Sequence, residues 1–294
     1  MVLFCSCGSS SGDKNVDSLA TNQQMPIVII GPSTVYIEKY PDDKNPSRHY
    51  HDDSACRLYG WGEVLPELLK NQNSAYNFAQ PGASAQTFRI PPEKRGENEQ
   101  ILFGPNRDHY WAKAKEKMQV LKQGILLIQF GGNDKRMLEN AYHHDSTKME
   151  KAFKESVQFY IDEAKKLNFK PVLISSIARR TFDQNGNLQK SRGDFPRWMQ
   201  ELAHENALAF LDLNQKSFDE YSKYDQEQLH KQFADCYNIW RYHDLVRNYH
   251  LSQEEAKRQS RENTHFEKKG ASIVARWIKE LACEDKASLL CQQF

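Results

Sequence analysis

Five short apolar runs, none strictly alternating with polar residues, do most to limit what this chain can become. They fall at residues 26–31, 75–79 ("AYNFA"), 124–130 ("GILLIQF"), 171–177 ("PVLISSI") and 207–213 ("ALAFLDL"). A strand wetted on one face alternates, whereas a strand apolar throughout is covered on both faces, as in a parallel sheet. Amphipathic stretches at 61–70, 109–122, 149–167, 195–206 and 267–282 separate or follow these runs. Strands and helices in alternation predict the α/β class: a three-layer α/β/α sandwich around a five-stranded parallel sheet.

The 294 residues fit one large domain or two small ones. No internal repeat and no composition break marks a second, so residues 25–294 read as one domain. Two segments interrupt the alternation. Residues 88–108 are rich in Pro, Gly and charge and read as a long loop. Residues 214–261 carry helical spacing and an aromatic group, "CYNIWRYHDLVRNYH", and read as a helical insertion. That insertion either shapes a substrate cleft or is a plain packed helix pair.

Charge excludes one class of partner. Forty Lys and Arg balance thirty-nine Asp and Glu, and the charges are scattered, so nothing points to nucleic acid. No apolar run approaches the ~18–20 residues a membrane helix needs. Residues 1–24 pair an apolar scrap with a polar tail and resemble the end of a bacterial lipoprotein signal. Ser6 precedes a candidate acylation site at Cys7, a flexible tether follows, and the expectation is an exported protein, periplasmic or at the cell surface. Of the remaining cysteines, Cys56, Cys236, Cys283 and Cys291, an exported protein can pair some or all, in a connectivity the sequence leaves open. His49, His51, Asp52, Asp53 and Cys56 form a metal-capable group without a recognisable ligand spacing, and are read as a solvated loop with no metal.

In an open parallel sheet, ligands bind at the carboxyl ends of the strands. The first run ends in Gly31-Pro32-Ser33-Thr34, the second in "QPGAS" with Gly82, the third in "GGND" with Asn133 and Asp134. Just before the last helix stands "RENTHFEKKGASIVARW", with Glu262 and His265. Taken singly, Ser33 is a helix cap, Gly82 a turn former, Asn133 and Asp134 loop hydrogen-bonders, and His265 a surface histidine. Taken together they make a hydrolytic set. Ser33 is the candidate nucleophile, exposed at a strand-to-helix turn whose helix N-terminus favours negative charge. His265 is the candidate base, with Glu262 three residues earlier to orient it. The backbone N–H groups of Ser33 and Gly82 and the side-chain amide of Asn133 are the candidate oxyanion donors.

These blocks resemble the SGNH (GDSL-type) hydrolases, which contribute Ser, Gly, Asn and His in that order, and within them the rhamnogalacturonan acetylesterase branch, carbohydrate esterase family 12. "IVIIGPSTV", "YGWGEVLPELL", "NFAQPGAS", "LLIQFGGND" and "NTHFEKKGASIVARWI" carry the resemblance, as does "RRTFDQNGNLQKSRGDFPRWMQELAHENALAFLDLN". It implies a flavodoxin-like sheet and a serine esterase, without cofactor, that removes O-acetyl groups from a polysaccharide such as pectic rhamnogalacturonan. A lipid or small-ester hydrolase of the same fold, and a catalytically impaired glycan binder, are the alternatives. The chain departs from the branch where Pro32 replaces Asp, Gly132 replaces His and Glu262 replaces Asp. It also lacks the Arg that often follows the block glycine, because Ala83 and Ser84 come next.

Overall fold

Alternate residues of the first strand serve opposite cores. In a computed structural model describing residues 24–36, 56–91, 94 and 110–294, Ile27 and Ile29 belong to a core that holds Trp61, Val274 and Ile278. Val28 and Ile30 belong to a second core with Trp111, Met118, Val157 and Tyr160. The third strand repeats the division, with Ile125 and Leu127 on one side and Leu126 and Ile128 on the other. Because strand side chains alternate, two buried faces need two covering layers. The unalternating runs have that cause.

The sheet consists of β1 (Ile27–Ile30), β2 (Ala75–Asn77), β3 (Gly124–Gln129), β4 (Phe169–Ile174) and β5 (Ala209–Leu211). Its order is β2-β1-β3-β4-β5, and every pairing is parallel. The chain moves outward from β1 to β2 and then returns to the other side of β1 for β3. The order therefore reverses between β1 and β3, the place where such sheets open a ligand crevice at their carboxyl edge.

One face is covered by α1 (Tyr110–Leu121), α2 (Gly132–Tyr142), α3 (Ser146–Lys166) and α4 (Phe195–Glu205). The other is covered by a one-turn helix at Trp61–Val64, α5 (Leu213–Tyr221), α6 (Gln226–Phe233) and the long last helix. Between α6 and that last helix lie α7 (Asp235–Asn248) and α8 (Gln253–Ser260); the last helix, Lys268–Ala282, is α9. The expected helix over 61–70 is one α-turn followed by a tighter 3-10 turn at Leu65–Leu68. Pro66 has no N–H to continue the α-helical ladder. Helix α3 starts earlier than its apolar spacing indicates, because the Asp145 carboxylate caps it by accepting from the Lys148 N–H at 3.1 Å.

The insertion is helical, and it is tied to the catalytic side of the molecule. A disulfide joins Cys236 in α7 to Cys56, ahead of the short strand Leu58–Tyr59, and a second joins Cys283 to Cys291. Leu58–Tyr59 pairs antiparallel with Phe266–Glu267, Tyr59 opposite Phe266. The candidate acylation site Cys7, all but the last residue of the 1–24 signal remnant and tether, most of the 88–108 loop and the His49–Asp53 group lie outside the described residues. Among the described residues no group of three side chains is arranged to hold a metal ion.

Candidate active site

Ser33 sits on a turn that four neighbours hold from different sides. The Pro32 carbonyl accepts from the Val35 N–H at 2.9 Å and the Tyr36 N–H at 3.3 Å. Beneath it, the buried Thr34 hydroxyl donates to Gln129 Oε1 at 2.8 Å, and the Trp61 indole donates to the same oxygen at 3.2 Å. Gln129 closes β3 and reaches on to the Ser175 carbonyl at 3.3 Å, so one polar residue in an apolar strand links the ends of β1, β3 and β4. A helix beginning at Ser33 is not what the described residues show: Pro32–Tyr36 is a single turn.

The Gly-Trp-Gly stretch is explained by how closely it approaches that turn. The Trp61 and Gly62 N–H groups donate to the Thr34 and Val35 carbonyls at 3.0 and 2.9 Å. A Cβ on Gly60 would stand 2.1 Å from the Val35 carbonyl carbon, and one on Gly62 would stand 2.8 Å from the Val35 oxygen. Only residues without a Cβ let the two backbones meet.

His265 reaches Ser33 from the loop before α9, its Nε2 2.8 Å from the Ser33 Oγ. Its other ring nitrogen, Nδ1, is 3.3 Å from Glu262 Oε2. The second Glu262 oxygen accepts the Thr264 and His265 N–H groups at 2.6 and 2.9 Å. Burial works to raise this carboxyl, yet the charge and hydrogen bonds of His265, with the Thr264 N–H, hold it far below the ordinary carboxylate range. Glu262 is therefore ionised at neutral pH. The longer glutamate fits because its carboxylate folds back to close this tight loop.

Three residues outside the sequence-derived set hold the loop itself. The Asn238 side chain in α7 accepts from the Glu262 N–H at 2.8 Å. The buried Arg180 guanidinium donates to the carbonyls of His265 and Glu262 at 2.7 and 3.1 Å, and its own N–H donates to the Asn263 carbonyl at 2.9 Å. Glu267 accepts from the Tyr237 N–H at 2.7 Å. The sequence carried one signal for Arg180, a pair of arginines directly after an apolar strand. It carried none for Asn238, whose role depends on how α7 folds back.

The glycine and asparagine blocks meet at the same edge. Gly82 lies at φ +82° in a turn attached to β1 through Gln80 N–H to Gly31 O, 2.8 Å. Asn133 Nδ2 donates to the Ala83 carbonyl at 3.0 Å, which fixes its amide and leaves the second amide hydrogen available. Among the described residues the N–H groups of Ser33 and Gly82 donate to no protein acceptor. Asp134 bridges the blocks, accepting from Ala85 N–H at 2.7 Å and Gly131 N–H at 2.8 Å. Gly131 adopts φ +108°, which turns the chain from β3 into α2. The arrangement offers a hydroxyl against an oriented imidazole, with uncommitted donors on adjoining loops: the elements of acyl transfer.

Over residues 17–278 the sequence matches the GDSL-like Lipase/Acylhydrolase family. Rhamnogalacturonan acetylesterase RhgT of Bacillus subtilis (strain 168) is 28% identical over 223 residues, covering 76% of this chain and 80% of that protein. Probable rhamnogalacturonan acetylesterase YesY of the same organism is 25% identical over 241 residues, covering 78% and 90%. The crystal structure of Bacillus subtilis protein YxiM shares the fold, with a TM-score of 0.57 at 18% identity. That match spans 90% of this chain but only 58% of the other.

Proposed function

The chain belongs to the GDSL-like lipase/acylhydrolase family, and from that premise we propose that it is a serine esterase removing O-acetyl groups from a polysaccharide, rhamnogalacturonan first among them. The observation that carries this reading is the placement of His265 Nε2 2.8 Å from the Ser33 hydroxyl, with Glu262 on the opposite ring nitrogen.

In this mechanism Ser33 Oγ attacks the acetyl carbonyl while His265 Nε2 takes the hydroxyl proton. The oxyanion is received by the Ser33 and Gly82 N–H groups and the free hydrogen of the Asn133 amide, donors of the kind whose single loss costs ~10²–10³ in rate. His265 then returns the proton to the departing sugar oxygen, leaving acetyl-serine. Water, deprotonated by the same nitrogen, releases acetate and restores Ser33. Glu262 stays ionised throughout and stabilises the imidazolium.

The carbohydrate assignment draws on the two Bacillus relatives, named as acetylesterases of rhamnogalacturonan. The two disulfides favour an exported protein, periplasmic or at the cell surface, consistent with acylation at Cys7. The test is acetate release from acetylated rhamnogalacturonan, acetylated xylan and a chromogenic acetate, with Ser33→Ala in parallel. The expected result is turnover by the intact protein and a loss of about 10⁴-fold or more in the variant. An intact protein that hydrolyses no acetyl ester overturns the esterase reading; activity that survives Ser33→Ala overturns the nucleophile.

A further inference from the structure

Arg192 is buried, and among the described residues it has no carboxylate partner. It is 4% exposed, and its Nε donates to the Ile177 carbonyl at 2.7 Å. Its terminal nitrogens make no hydrogen bond among the described residues and are not sealed from solvent. They lie against the nucleophile's side of the sheet: a Cβ on Gly132 would stand 3.2 Å from Arg192 Nη1, and Gly132 directly precedes Asn133. The absence of a side chain at 132 is what leaves room for the guanidinium.

A second arginine stands beside it. Arg179 follows the end of β4, its backbone N–H donates to Ser191 Oγ at 3.3 Å, and its Nε is buried with no hydrogen-bond partner. Burial, reinforced by the charge of Arg179, pushes the Arg192 guanidinium down to about 9, so it is still a cation at neutral pH. Two neighbouring cations, one of them buried, that meet no counter-ion among the described residues carry a desolvation cost those residues do not compensate. Arg180 is different: one terminal nitrogen donates to both the Glu262 and His265 carbonyls, and the cation lies against the Phe233 and Phe266 rings, 5.1 and 5.3 Å from their centroids, so aromatic faces enclose it.

We propose that Arg192 and Arg179 form a carboxylate subsite beside the oxyanion donors, one that takes a uronate carboxylate of the acetylated chain. This rests on the esterase reading above and names the substrate feature that the site selects. A planar guanidinium fork matches a carboxylate in a way that no sugar hydroxyl does. A neutral polymer such as xylan would leave both cations unpaired. A chain containing galacturonic acid supplies the missing charge and positions the neighbouring acetyl group.

The test compares acetylated rhamnogalacturonan oligosaccharides with the same material after reduction of its uronate carboxyls to alcohols. The intact protein is expected to lose about 10–100-fold in kcat/KM on the reduced substrate, the loss falling mainly in KM. Arg192→Gln is expected to treat both substrates alike, and Arg192→Lys to recover part of the discrimination. Arg179→Gln supplies the same comparison if Arg192→Gln fails to fold. An intact protein that handles both substrates equally overturns the subsite, as does a folded glutamine variant that keeps the wild-type ratio. If the intact protein releases acetate from neither, the esterase reading has failed, and calorimetry with an unacetylated galacturonate oligosaccharide decides the subsite. Binding that Arg192→Gln abolishes supports it; no binding, or binding unchanged in the variant, overturns it.

Discussion

The Arg180 guanidinium donates to the His265 carbonyl at 2.7 Å, so a residue from the end of β4 holds in place the histidine that faces Ser33. The same nitrogen reaches the Glu262 carbonyl at 3.1 Å. The cation lies against the rings of Phe233 and Phe266, whose centroids are 5.1 and 5.3 Å away. Arg180 touches no reacting atom; it sets where His265 and Glu262 stand. Arg180→Met should therefore lower kcat by about 10–100-fold while leaving KM within about threefold, and cost about 2–4 kcal/mol of stability, since two carbonyls lose their donor. Arg180→Lys should recover part of kcat. Steady-state kinetics with denaturant unfolding checks this, and a kcat unchanged in a folded Arg180→Met would show that α7 alone holds the loop.

Glu262→Gln isolates the orienting role from the structural one. One Glu262 oxygen caps the loop through the Thr264 and His265 N–H groups, and the other faces His265 Nδ1. A glutamine can keep the capping acceptor, but its NH₂ then points at Nδ1. The imidazole must turn Nδ1 into an acceptor, which places its proton on Nε2, toward Ser33. That is the wrong tautomer for a base, and the rate on a chromogenic acetate should fall by about 10³–10⁴-fold with the fold intact. Circular dichroism alongside the kinetics separates this from unfolding; a rate within threefold of wild type would remove Glu262 from the mechanism.

The strand ends were legible in the sequence because burial on both faces leaves unbroken apolar runs, and β1, β3 and β4 lie within a few residues of where those runs fall. Ser33 and His265, 232 residues apart, meet as their positions at the sheet edge implied. The supports were less legible. Gln129 does not stand out inside the apolar run "GILLIQF", because its role depends on Thr34 and Trp61, which come from other segments. Asn238 and the Cys56–Cys236 link depend on how the insertion packs, which periodicity along one segment does not encode. Where a helix was expected at Ser33 the described residues show a single turn, for a local reason: the cap preference of serine is the same whether a helix or a single turn follows.

Asp134 gives the oxyanion frame a pH signature. Its carboxyl joins the glycine loop to the asparagine turn by accepting from the Ala85 and Gly131 N–H groups at 2.7 and 2.8 Å. Burial raises it from an ordinary 3.8 to about 6, against the lowering pull of those two N–H groups. Between these values the folded protein keeps a proton that the unfolded chain has released. The associated stability is therefore complete below about pH 4 and is lost as the pH rises through about 6, a total on the order of 2–3 kcal/mol. Asp134→Asn cannot titrate and lacks this slope. Urea unfolding of both proteins from about pH 4 to about pH 7 should show the wild type losing that amount relative to the variant. A difference flat across the range would mean that the two N–H groups outweigh burial and that Asp134 is already ionised at the acid end.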